Sequence, residues 1–131
     1  MNQNLLRQYS ESRFKTNWTL TPIRFENLDY TPIIGTPYID FSIEPEESFQ
    51  IGLPQVPMFR HTGLLVFEIY VPSNTGSKNT RTYIDEIAKL FAGKQFNDIT
   101  CRSLQSMKIG KIGEWYLTVV HVQYQYDGII E

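Results

Sequence analysis

The clearest pattern in the chain is a strict alternation over Tyr38–Glu44. Ile39, Phe41 and Ile43 fall on one side, and Tyr38, Asp40, Ser42 and Glu44 on the other. A period of two belongs to a strand with one buried face. Thr62–Val71 repeats it with Leu65, Phe67, Ile69 and Val71, and adds Leu64 and Val66 on the opposite face. Apolar residues on both faces predict a central strand. Trp115–Tyr126 alternates again, and Ile99–Ser106 does so more weakly. Between these stretches the period changes. Tyr83, Ile84, Ile87, Leu90 and Phe91 share one side of a helix over about 82–92. Thr82 with Asp85 has the spacing of a capping box, Asp85 and Lys89 stand four apart, and Gly93 suits the position after the last turn. Leu5, Leu6, Tyr9 and Phe14 predict a first helix over 3–15.

The remaining stretches are punctuated by proline and glycine. Trp18–Phe25, broken by Pro22, reads as a short edge strand, and 26–37 as a loop with Pro32, Gly35 and Pro37. Pro45 is expected to end the strand before it. Residues 45–61 carry Phe49, Ile51, Leu53, Val56, Met58 and Phe59, yet Gly52, Pro54 and Pro57 interrupt any long element. They read as a long hairpin arm whose apolar side chains need a partner. Residues 72–80 form a turn-rich loop, and 108–114, with Gly110 and Gly113, a turn. The expected fold is α+β: a single domain over 1–131, with an antiparallel or mixed sheet of about four to five strands, two helices on one face, and the arm.

Composition adjusts this picture little. A chain of 131 residues with 41% hydrophobic and 20% charged residues has the balance of a globular domain. Its 14% aromatic content favours a dense core or a protein interface. A net charge of −2 gives no general attraction to nucleic acid. Arg102, Lys108 and Lys111 are near one another without interleaved aromatics, a weak basic patch. Cys101 has no second cysteine to pair with. The first residues lack the apolar run of a signal peptide, and no segment approaches the roughly 18 apolar residues of a membrane span. A soluble intracellular product with no membrane association is expected.

Few residues in the chain point to chemistry. His61 and His121 stand far apart in sequence, and Cys101 belongs to no CxxC pair, so no metal or cofactor is expected. There is no GxSxG elbow, and Ser73–Lys78 lacks the glycine and lysine spacing of a phosphate loop. Glu46–Glu47 reads as a solvated pair. Tyr116, Tyr124 and Tyr126 share one strand face; they cap the core beneath the helices, or else mark a subunit contact.

The order of these segments resembles a known family. It runs from an N-terminal helix through PYIDFSIEP, an irregular apolar stretch, RHTGLLVFEIYVPSNTGS, a helix and ITCRSLQS to GEWYLTVVHVQYQY. Arg60-His61-Thr62-Gly63, Val71-Pro72 with Gly76 beyond, and Trp115-Tyr116 are its most specific parts. The whole is similar to the tail terminator (tail completion) proteins of long-tailed bacteriophages. The resemblance implies a structural protein rather than an enzyme, made in the host cytoplasm and carried in the virion neck. It implies a ring, usually hexameric, that sits on the tail tube protein, stops tube growth and meets the head-tail connector. DNA would pass through without sequence-specific binding. Phe49, Ile51, Leu53, Val56, Met58, Phe59 and Arg60 are then candidates for the subunit interface. Ser73, Asn74, Thr75, Ser77 and Lys78 are candidates for a partner-facing loop. Another head-tail joining or tube component is the near alternative. An enzyme using His61, His121 and acids of the arm is the distant one.

Overall fold

A computed structural model describes residues 1–52, 55 and 57–128. The elements, in order, are α1 (Gln3–Asn17), β1 (Ile23–Phe25), β2 (Tyr38–Gln50), β3 (Phe59–Pro72), α2 (Lys78–Phe91), β4 (Gln95–Phe96), β5 (Ile99–Ile112) and β6 (Trp115–Gly128). The six strands form one mixed sheet in the order β1-β2-β3-β6-β5-β4. Only β1 and β2 run parallel; the other neighbours are antiparallel. The fold is α+β, as expected, with β3 well inside the sheet. The sheet has more strands than the expected four to five because of β4, two residues long; the edge strand expected over 18–25 shrinks to the three residues of β1. Elements this short carry no period of their own and exist only through the neighbour they pair with.

One sheet face holds the core. Ile39, Phe41 and Ile43 lie opposite Ile69, Phe67 and Leu65, and Val120 and Val122 lie opposite Phe67 and Leu65. Residues directly opposite share a face. Against that face Phe14 of α1 sits 5.1 Å from Phe67 and 5.7 Å from Phe41, ring centre to ring centre. Phe91 of α2 sits 5.3 Å from Phe67. Leu6, Ser10 and Phe14 are buried at a spacing of four, which is why α1 shows one apolar stripe. Asn2 caps α1 by accepting the Leu5 N–H at 2.9 Å. The two helices are tied where Arg13 Nε donates to the Leu90 carbonyl at 2.8 Å. That bond satisfies one of the open carbonyls at the end of α2, and the guanidinium lies 4.6 Å from the Phe96 ring.

Several local expectations are corrected. Pro45 does not end the second strand: β2 continues to Gln50 through an irregularity in register between Pro45 and Ser48. Pro45 stays in register with Gly63, and its nitrogen, two residues after the outward-facing Ile43 N–H, points to the outer edge, so its missing N–H costs no ladder bond. Likewise β5 runs on to Ile112 through a second irregularity between Lys108 and Gly110, and the turn shrinks to 113–114. Gly110 (φ +110°) and Gly113 (φ +57°) provide the conformations this needs. Helix α2 starts at Lys78, so Thr82 lies inside it and its hydroxyl donates to the Lys78 carbonyl, not to a cap. Lys89 pairs with Glu86 at 3.0 Å rather than with Asp85. Gly93, at φ +69°, does occupy the left-handed position after the helix.

Candidate assembly surface

The two histidines named as candidates for a catalytic or metal site do not come together. His61 lies opposite Tyr126 and His121 opposite Val66, so the two histidines project from opposite faces of the sheet. Among the described residues no group of three or more His, Cys, Asp or Glu could hold a metal ion. Cys101 is buried, and burial pushes its thiol up to about 12, far from the thiolate form that reacts. Tyr124 and Tyr126 are each 2% exposed and belong to the core, with Tyr116 half-buried against it. Of the two readings of these tyrosines, the core reading holds. No described helix is long and apolar enough to cross a membrane.

The arm is a β-hairpin. Ser48, Phe49 and Gln50 pair with His61, Arg60 and Phe59, and the Ile51 N–H reaches the Met58 carbonyl at 2.8 Å. Its base is fastened by four consecutive residues, each in a different way. Arg60 grips Asp127 of β6 with two bonds of 2.9 and 3.1 Å, which holds that carboxyl below its ordinary range. His61 stacks on Tyr126 at 4.8 Å, and its Nδ1 lies 2.7 Å from the Ser48 hydroxyl. Thr62 donates to the Glu47 carbonyl at 2.8 Å, across the bulge. Gly63 leaves room for the Tyr124 ring, which a side chain would strike. The motif that looked most specific in the sequence is therefore the anchorage of the arm.

Beyond this anchorage the arm is exposed. Phe49 is 47% and Ile51 42% exposed, whereas Met58, Phe59 and Arg60 are half-buried. Leu53 and Val56 lie outside the described residues. Arg60 is engaged within its own chain, so among the described residues of the expected interface Phe49 and Ile51 are the exposed apolar ones. Glu44, Glu46 and Glu47 are exposed along the same arm and form no ion pair among the described residues. The outer edge of β2 is guarded: Glu26 accepts the Ile43 N–H at 2.6 Å, and Pro45 has no N–H to offer.

The opposite end of β3 opens into the loop 73–77. Asn74, Thr75, Ser77 and Lys78 are exposed and Ser73 is half-buried, its N–H donating to the Glu114 carbonyl at 2.9 Å. The loop borders a cleft of about 450 Å³ between the start of α2 and strands β5 and β6. Asn74, Thr75, Ser77, Arg81, Lys108 and Tyr116 are among its lining residues. Ser77, the cap residue of α2, makes no side-chain cap bond, and the first turn contains no acid. That end of the helix presents N–H groups and positive dipole without an internal counter-charge.

Along this side β4 and the residues before it cover β5 only from Ile99 to Arg102, whose carbonyl accepts the Gly93 N–H at 3.0 Å, so from Ser103 onward β5 is an open edge among the described residues. Met107, Ile109 and Ile112 are each about half exposed there, at 53%, 49% and 50%. Ile109 and Ile112 escaped the sequence reading because the two glycines made 108–114 look like a turn, and Met107 fell just past the strand read over 99–106. Met107 and Ile109, alternating with Ser106 and Lys108, were the available signal. Leu28, Ile33 and Ile34 in the loop before β2 are exposed as well.

A family model described as phage tail terminator protein matches residues 6–124. One solved protein chain, whose name states no function, superposes with a TM-score of 0.74 at 17% identity. The match covers 100% of this chain and 99% of that one, and the likeness concerns the fold alone. No curated protein matches the chain.

Proposed function

The chain belongs to the phage tail terminator family, a structural component of the virion tail, and from that premise we propose that it forms a ring, six-fold in the family manner, which caps the finished tail tube. The match over residues 6–124 carries this reading. The exposed hairpin arm supports it, since Phe49 and Ile51 project where the chain's own core cannot cover them. In this reading the arm packs on the neighbouring subunit in a head-to-tail contact that closes. The loop 73–78 faces a partner, either the tube below or the connector above. DNA passes through the lumen without sequence-specific binding. A mildly acidic subunit suits that passage, because dense phosphate contacts would hold the genome back.

The test is electron microscopy of purified protein mixed with tail tubes. The expected outcome is one ring at a tube end, with no further growth when tube subunits are added. Long polymers of the protein itself would instead identify a tube subunit. Absence from both tube ends would overturn the proposal.

A further inference from the structure

The cleft beside α2 gathers positive groups that no ion pair among the described residues answers. Arg81 and Lys108 line it. Lys111 follows on the same strand face, since Lys108 and Lys111 lie opposite Thr118 and Tyr116, both cleft residues. None of the three forms an ion pair among the described residues. The uncapped first turn of α2 adds its dipole. Thr80, only 6% exposed, also lines the cleft, and its hydroxyl has no hydrogen-bond partner. The arm at the opposite lateral edge of the sheet is the converse: Glu44, Glu46 and Glu47 beside exposed Phe49 and Ile51.

We infer that the arm of one copy docks on the cleft and open β5 edge of the next, carboxylates toward Arg81, Lys108 and Lys111 on the cleft face, with Phe49 and Ile51 reaching over the edge to Ile109 and to Met107, which lies opposite Val119 on the other face. This rests on the ring reading and names its contact. Charge decides the pairing. Arm against arm sets glutamates together, and cleft against cleft sets cations together; only arm on cleft brings opposite signs into contact. Donor and acceptor surfaces are different parts of the chain, so the contact is heterologous and propagates in one direction until the ring closes. A carboxylate arriving at the start of α2 also meets the orphan N–H groups there. The guarded edge of β2 and the lysines on the edge of β5 disfavour indiscriminate strand pairing. Side-chain complementarity is left to select the partner.

Two variants test this: Glu46→Lys with Glu47→Lys, and Arg81→Glu with Lys108→Glu. All four side chains are exposed, and circular dichroism checks the fold; Glu46→Gln with Glu47→Gln is the milder substitute if folding suffers. Assembly is read by sedimentation, alone and on tail tubes. Each variant alone is expected to associate at least about tenfold more weakly than the native chain. An equimolar mixture is expected to assemble, because each arm then meets a cleft of opposite sign. A variant that assembles alone like the native chain would overturn the arm-in-cleft contact while leaving the ring intact, as would a mixture that stays monomeric. A native chain that forms no oligomer even on tubes would overturn the ring and this contact with it.

Discussion

At Gly63 the backbone of β3 runs against the ring of Tyr124, and a Cβ there would lie 2.6 Å from the Glu44 carbonyl oxygen and overlap the tyrosine hydroxyl. The backbone and a core ring cannot both yield, so Gly63→Ala is expected to cost about 1–3 kcal/mol as an overpacked site. Urea unfolding should show a lower midpoint with an unchanged slope. A neutral result would mean that Tyr124 relaxes freely. Arg60 and Asp127 give a second expectation. The ion pair depresses the Asp127 carboxyl below its ordinary 3.8. A depressed carboxylate adds stability above its unfolded pKa and loses it as pH falls through the lower folded value. The arm base should thus hold across neutral pH and loosen only below about pH 4. Proteolysis within 45–61 by an acid-active protease should then rise faster for the native chain than for Asp127→Asn, which lacks the titrating group. Parallel pH profiles would remove the pair from the account. In the sequence Arg60 and Gly63 stood out only as part of a resemblance, because their partners Asp127 and Tyr124 lie more than sixty residues away.

Among the elements, the two long apolar strands and α2 were legible because their burial follows the period of the backbone itself. The arm was legible too, though only as an apolar stretch that no regular element could absorb. Its pairing was not. β2 passes Pro45 because the proline nitrogen faces the outer edge, and whether a proline stops a strand depends on whether its N–H is needed by a neighbour. β4 was invisible because two residues carry no period, and β1 was legible only as part of a longer edge strand over 18–25. The arm also separates assembly from folding. The core rings Phe14, Phe41, Phe67 and Phe91 are remote in register from Ser48–Gln50. Deleting residues 48–58 should therefore leave a chain with native circular dichroism and a cooperative melt. In sedimentation that chain should remain monomeric in the presence of tail tubes. Normal rings from the deleted chain would show that the arm is dispensable.

For the whole molecule, a net charge of −2 conceals a dipolar arrangement: glutamates along the arm, and Arg81, Lys108 and Lys111 around the far cleft. Contacts between exposed charges are screened within about 8 Å at physiological ionic strength and about 3 Å at 1 M. Raising sodium chloride toward 1 M should therefore dissociate rings, while urea unfolding of the monomer shifts little. Salt-insensitive rings would assign the contact to Phe49 and Ile51 alone. By itself the sequence determined the α+β class, the central strand, the second helix, the presence of an arm and the family, since each rests on local period or on the order of segments. Only the tertiary structure decided which edges stay open, which of the arm's residues are free, and where the positive groups converge. Those properties depend on strand register and on the order of strands in the sheet, which bring Arg81 of a helix beside Lys108 of a strand.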